Sequence, residues 1–414
     1  MPETPSRSLG PTGWAVYLGC SWTWCIGMFL PALLIRDLGF WGYVVFAVPN
    51  VIGAAAMGWV LKSPESSRRL VEDHRRAAVL FSRVTIFFHI YWMAWLGLFV
   101  VKSFDFLPIY FAIVFFALVL MSLPWAKSSI RSQIVAVIVW MISAGLLLVF
   151  AFGSSVTPPT VDFISVRPFS ADVIWLIPMS VFGFAFCPYL DLTFHRARLA
   201  SETPRASKLA FGMGFGVFFF SMILLTFMYA GPFAALTSGT PVSEIQVAPW
   251  IAVYLAVHMI LQLSFTLSVH NNETKRFMQS TGERDRKQHI LAMAIIGGSL
   301  GALASIASEP SFYYESLQMS LGELGYRAFL TFYGLIFPTY VYLNVWNIRG
   351  RCLRTRTQRS TLVTIIAIVL ASPFFFMGFF VRDERYIPAG VAILLAAKLF
   401  TGSEDRPRPL AQPV

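Results

Sequence analysis

The sequence predicts an all-α integral membrane protein with about twelve transmembrane helices and both termini in the cytoplasm. Two observations carry that prediction. Mostly apolar stretches of roughly 15–24 residues, long enough to cross a bilayer as a helix, recur along nearly the whole chain. Lys and Arg fall on alternate sides of those stretches. Of the 32 basic residues, 24 lie in segments that the alternation assigns to the cytoplasm, where basic loops are retained. A hydrophobic share of 57% and a charged share of 13% exclude a soluble or disordered chain.

In order, the predicted spans are Trp14 to Ile35, Trp41 to Leu61, Ala78 to Val101, Phe106 to Pro124, Gln133 to Phe152, Asp172 to Phe194, Leu209 to Gly231, Pro249 to Val269, His289 to Ala307, Tyr326 to Trp346, Thr361 to Val381 and Tyr386 to Phe400. The first follows a polar start with Pro2, Pro5 and Pro11 and has the length of a span, so a cleavable signal peptide is not expected. Basic connections follow every second span: Lys62 to Arg76, Lys127 to Arg131, Arg196 to Lys208, Lys275 to Lys287 and Arg349 to Arg359. These set the orientation expected of a multi-pass protein of the plasma membrane. The longest outer connections, near Gly153 to Ala171 and Ser308 to Gly325, are too short for a soluble domain.

The net charge of +11 sits in those short loops, where it meets anionic headgroups; the expected partners are membrane lipids and a small solute, not nucleic acid. Cys20, Cys25 and Cys187 fall within the membrane and Cys352 in a cytoplasmic loop, which argues against disulfides. The sequence has no Walker A run, G-x-S-x-G elbow or H-E-x-x-H pair. ATP-driven pumping and the common hydrolase schemes therefore lack support, and an enzyme is not the expectation.

The spans parse as five plus five plus two. Residues 1–152 form a first five-helix repeat, 172–346 a second, 361–400 two additional helices and 401–414 a cytoplasmic tail. Five is odd, so the second set enters from the opposite side, as an inverted repeat requires. The first and sixth spans then correspond, and each carries a candidate break. The first reads Gly19-Cys20-Ser21-Trp22-Thr23-Trp24-Cys25-Ile26-Gly27, polar and Gly-flanked. The sixth reads Gly183-Phe184-Ala185-Phe186-Cys187-Pro188-Tyr189-Leu190-Asp191, where Pro188 removes a backbone donor. An opened helix in lipid must line a cavity or be covered by protein. The alternative is that these are ordinary kinks, since Gly and Pro are common in membrane helices.

The hairpin from Gly19 to Arg69, GCSWTWCIGMFLPALLIRDLGFWGYVVFAVPNVIGAAAMGWVLKSPESSRR, resembles the first core hairpin of sodium:solute symporters. The shared features are a Ser-bearing, Gly-containing first helix with a Pro soon after, a Gly-rich second helix, and a basic exit after Pro. More broadly the chain resembles the leucine-transporter (LeuT) fold of the amino acid–polyamine–cation superfamily. That resemblance implies ten core helices, two extra ones, a secondary active transporter and sodium as coupling ion. Two features depart from it. The additional N-terminal helix usual in sodium:solute symporters is not seen. The adjacent hydroxyls of their core helix 8 are replaced by Ser264, Thr266 and Ser268, of which Ser264 and Ser268 share a face. An adapted cation site would combine these with Cys20 and Thr23; proton-coupled or facilitated transport stays open.

Polar residues inside the spans supply the remaining candidates. Arg83 and Asp191 lie at similar depth, and each needs a partner or water. They are read as a gate pair, or else as a snorkelling Arg and a helix-capping Asp. His89 and His258 lie near mid-membrane on matching helices; they would bind solute or relay protons, or simply bond a carbonyl across a helix interface. Asn50 and Gln262 read as interhelical glue, and Gly212-x-x-x-Gly216 and Gly297-x-x-x-Gly301 as close-packing motifs. The expected solute site therefore comprises Cys20, Ser21, Trp22, Thr23, Trp24, His89, Phe186, Cys187, Tyr189 and His258. Helix breaks are expected at Gly27, Gly183 and Pro188. No cofactor is expected beyond a coupling Na+. Two rivals remain: soft-metal transport through Cys20, Cys25 and Cys187, and a membrane enzyme built on Asp191 and His195 beside Arg196 and Arg198.

Overall fold

The computed structural model describes residues 8–104, 114, 117–121, 123–153, 169–201, 203–238, 248–280, 287–306, 317, 319–346 and 357–401. Its elements are helical throughout. Eight helices are long and apolar enough to cross a membrane, and a ninth crossing forms if a bent pair at the start counts as one. The chain is a multi-pass α-helical protein.

The bent pair is α1 (Gly10–Trp22) and α2 (Cys25–Leu38), which meet at 57°. Helix α1 has Pro11 in its first turn, where the missing N–H is no loss. It stops where the Thr23 hydroxyl turns back onto the Gly19 carbonyl at 2.8 Å and Trp24 takes an extended conformation. Gly39, with φ +68°, a backbone state open to glycine, ends α2 and leads straight into α3 (Phe40–Val60). The basic connection that follows folds in part as a short helix, α4 (Pro64–Asp73), capped by the Ser63 hydroxyl. Next come α5 (Arg75–Phe104) and α6 (Ser129–Phe152). The predicted fourth span, Phe106 to Pro124, lies largely outside the described residues.

The second break follows α7 (Asp172–Phe186). The chain tightens into a 3-10 turn at Cys187–Leu190, with Pro188 in it, then becomes extended at Asp191. Asp191 caps α8 (Leu192–Ala200) by accepting the Thr193 N–H at 2.7 Å. Helix α9 (Pro204–Met213) runs through a π-helical turn at Gly214–Phe219 into α10 (Phe220–Thr237). Helix α11 (Pro249–Ser280) is longer than predicted, and α12 (Lys287–Ile306) follows. The tenth predicted span is α13 (Leu321–Thr331), α14 (Phe337–Tyr340) and two π turns, Phe332–Ile336 and Val341–Val345. The last two elements are α15 (Gln358–Phe376) and α16 (Ile387–Ala397). In α12 and α16 the apolar helical stretch is shorter than in the eight spanning helices.

Packing sorts these helices into a centre and a rim. Helices α1 and α2 lie against α9, α10 and α6, and α3 lies against α7; α11 touches α1, α5 and α6. The apolar window of α11 is 67% buried, against 28% for α6 and 33% for α15. Leu148 on α6 and Leu362 and Val369 on α15 stand exposed, as side chains facing lipid would. Helices α15 and α16 pack on each other, and α16 also on α7, in an apolar cluster separate from the main core. Reporter tags after Arg69, Ser201, Gly282 and Arg356 should report cytoplasm, and tags near Ser155 and Ser238 the outside. One reversed tag would break the predicted alternation.

Candidate functional site

Both breaks free backbone groups that need partners away from water. At the first break, the Cys25 N–H donates to His89 Nε2 at 3.3 Å, and His89 Nδ1 lies 2.6 Å from the Thr85 carbonyl. Those contacts fix the neutral tautomer with its proton on Nδ1, so His89 of α5 caps the start of α2. Tyr326 donates to the Cys25 carbonyl, Thr226 to that of Gly27 and Tyr229 to that of Met28. At the second break, His195 Nε2 bonds the Tyr189 carbonyl at 2.9 Å and its Nδ1 meets the Ser67 hydroxyl. The Cys187 thiol donates to the Tyr333 carbonyl at 3.1 Å.

Between the two breaks lies a cavity lined by Trp22, Trp24, Ile26, Gly27, Asn50, Phe184, Cys187 and Tyr333. It has room for roughly one water. Its walls are mainly aromatic. The rings of Trp22 and Trp24 are 4.5 Å apart, and Tyr333 approaches Trp24 edge-on at 5.4 Å. The Trp22 indole N–H donates to Asn50 Oδ1 at 2.6 Å, which orients the polar end of this wall.

Four residues of the predicted site or breaks line this cavity: Trp22, Trp24, Gly27 and Cys187. The others are placed elsewhere. Cys20 donates to the Ala136 carbonyl, and Thr23 to its own helix. Ser21 touches Thr193. Phe186 packs on Phe182, Tyr342 and Trp346, and Tyr189 on Trp346. His258 bonds Ser143 at 2.9 Å. Gly27 and Gly183 sit inside helical turns, so the chain opens at Thr23–Trp24 and at Cys187–Asp191 instead.

The predicted gate pair is not brought together. Arg83 reaches the Met278 sulfur, while Asp191 is held by Thr193 and faces His270. The cation cage is not assembled either: Ser264 bonds the Ile260 carbonyl of its own helix, and no described contact joins it to Thr23 or Cys20. Thr266 and Ser268 are buried with hydroxyl oxygens that lack a partner. Among the described residues no group of three His, Cys, Asp or Glu side chains could hold a metal, which leaves the three-thiol reading without a site. Asp191 and His195 do not pair, so the acid–base reading has no dyad.

Charge pairs that sequence reasoning missed lie beyond each break. Past the first, Arg36 grips Glu323 with both guanidinium nitrogens at 2.7 and 2.8 Å and also bonds Asp37. Arg327 bridges Asp37 and Glu323, and Arg382 adds a contact to Asp37 at 3.2 Å. This cluster ties the end of α2 to the start of α13 and to the turn before α16. In that turn Glu384 is pushed up to about 7, first by burial. Past the second break, Arg196 of α8 pairs with Glu273 of α11 and donates to the Ala126 carbonyl. No protein-family model and no curated protein matches the chain.

Proposed function

We propose that the chain is a secondary transporter that moves a small organic solute by alternating access between its two breaks. The observation that carries this reading is the cavity that both broken helices line. Helix packing supports it further. Exchanging spans 1 and 6, 2 and 7, 3 and 8, and 5 and 10 turns one set of observed contacts into another. The first span packs on the seventh as the sixth packs on the second, the first on the fifth as the sixth on the tenth, and the fifth on the eighth as the tenth on the third. An inverted five-plus-five repeat, 1–152 against 172–346, with 361–400 appended, predicts that exchange and the twelve-span, LeuT-like architecture with both ends in the cytoplasm. The reading is of a carrier, not an enzyme.

The cavity's chemistry selects a solute with an apolar body for the indole and phenol rings and a polar end for Asn50. With room for about one water the cavity is small, and in this reading the ion clusters beyond the two breaks act as its gates. Alternating access then means breaking one cluster while keeping the other. For sodium as coupling ion there is only the pair of unpartnered hydroxyls of Thr266 and Ser268 on α11, two residues apart and so on different faces of the helix, which leaves a proton as the alternative.

The test is a broad solute screen by thermal unfolding of the purified protein, with and without sodium. A solute at a hundred times its Kd stabilises by about 2.7 kcal/mol. The shift should vanish in Trp24→Ala. A screen in which every hit stabilises Trp24→Ala as strongly as the native chain would remove the cavity from the proposal.

A further inference from the structure

Asp191 and His270 are both fully buried, and each has an atom without a partner facing the other. Asp191 Oδ1 is occupied twice by Thr193, by its N–H and its hydroxyl, each at 2.7 Å. Oδ2 is left over. His270 sits on α11 with Nδ1 3.3 Å from the Ser82 hydroxyl, and its Nε2 is 3.9 Å from Asp191 Oδ2. That gap exceeds the roughly 2.7–3.2 Å of a hydrogen bond. A carboxylate held only by the two Thr193 donors and the start of α8, beside a neutral imidazole, would keep an unpaired charge inside the membrane, which is costly.

We propose that Asp191 and His270 together form a proton-binding site, whose bound proton is the coupling ion of the carrier. Its role in coupling rests on the transporter reading; the site itself does not. One proton added to the pair gives either a carboxyl donating to imidazole or an imidazolium donating to carboxylate. Both forms are neutral overall, and both satisfy the two open atoms once the pair closes by about an ångström. The proton comes from water on one side and returns to water on the other; no other bond forms or breaks. Among the described residues no third His, Cys, Asp or Glu stands with the pair to complete a metal site. A hard cation favours a shell of oxygens, whereas Oδ2 faces a nitrogen.

The neighbouring titratable groups are already committed. His89 on α5 is fixed neutral by the Cys25 N–H, and Glu273 on α11 is paired with Arg196 on α8. His195 on α8 is engaged by Ser67 and the Tyr189 carbonyl. Tyr17 on α1 and Tyr333 near α13 feel Asp191 electrostatically but are phenols, neutral near pH 7. The site also touches the cavity. Trp24, a cavity wall, meets the His270 ring edge-on at 5.6 Å, and Thr193 Oγ1 lies 3.1 Å from Ser21 Oγ in the first break. Displacement of Trp24 by a solute would therefore uncover the proton.

The experiment is infrared difference spectroscopy of the full chain in liposomes between acid and alkaline pH. The native chain should show an acid-induced carboxyl or imidazolium band. That band should fall to background in Asp191→Asn and shift in His270→Gln, and Asp191→Glu should keep a displaced version. Native-like circular dichroism of each variant shows that it folds. Identical difference spectra in the native chain, Asp191→Asn and His270→Gln would overturn the site. If the band behaves as expected but only a sodium gradient drives uptake of a solute found by the thermal screen, the coupling role is overturned. A failed solute screen with the band intact counts against the carrier reading alone.

Discussion

Replacing Arg36 by alanine should lower the stability of the detergent-solubilised protein by about 3–5 kcal/mol, the cost typical of removing one partner from a buried ion pair. Arg36 is 4% exposed and Glu323 1%. The guanidinium meets both Glu323 oxygens and Asp37, so its loss leaves two buried carboxylates to share Arg327 and Arg382. Arg36→Lys keeps the charge but not the two-pronged geometry, and should fall between. Thermal unfolding of the three proteins in one detergent measures this. A loss below about 1 kcal/mol would mean that the cluster behaves like a solvated surface pair. Under the carrier reading the same change has a second effect. Alkylation of Cys187, in a background without the other cysteines, should speed up because one seal of the cavity is weakened.

Much of the architecture was legible because lipid leaves a chain few options. Apolar length marks the eight spanning helices and the bent first pair among the described residues, and the polar run from Gly19 to Gly27 and Pro188 mark the two places where helices open. The glycine motifs divided. Gly301 packs against the Tyr91 carbonyl and Gly297 against Phe87 and Ile90, so that motif sets the contact of α12 with α5. Gly212 meets Trp59, but Gly216 meets nothing within 4 Å. Periodicity says that a small face exists, not what covers it.

The site was less legible, for identifiable reasons. Arg36 and Glu323 are 287 residues apart, each beside a presumed loop, and nothing local pairs them. Tyr333 is one phenol in a chain with 14 Tyr and 39 Phe. His270 lies just past the predicted eighth span, which ends at Val269 where apolar residues give way to polar ones. The helix instead continues to Ser280, with His270, Glu273 and Thr274 buried, and His270 faces Asp191. The sequence puts Arg83 and Asp191 at one depth, but Asp191 caps α8 and faces His270 while Arg83 turns to Met278 on α11. Depth in a membrane can be read from a sequence; azimuth around a helix bundle cannot.

Gly53→Ala should damage function although its side chain would touch no solute. At Gly53, α3 lies directly against the backbone of α7. A Cβ there would collide with the Phe184 carbonyl and stand 3.0 Å from the Ala185 N. These are backbone atoms of a helix, which cannot rotate aside as a side chain would. The added methyl must push α7 and α3 apart, and overpacking of this kind costs about 1–3 kcal/mol. The displacement falls on the cavity. Phe184 lines it from α7, and Asn50, one turn before Gly53, lines it from α3 and holds the Trp22 indole. Separating the two helices should therefore stretch the Trp22–Asn50 bond and loosen the second break beside Cys187. The expected result is a solute-induced thermal shift reduced more than the basal stability. Gly298→Ala is the control: the same change in a helix with nothing within 4 Å of the new methyl should be neutral or slightly stabilising, because alanine favours helix over glycine by about 1 kcal/mol. If Gly53→Ala and Gly298→Ala behave alike in both measurements, the α3–α7 contact does not set the shape of the cavity.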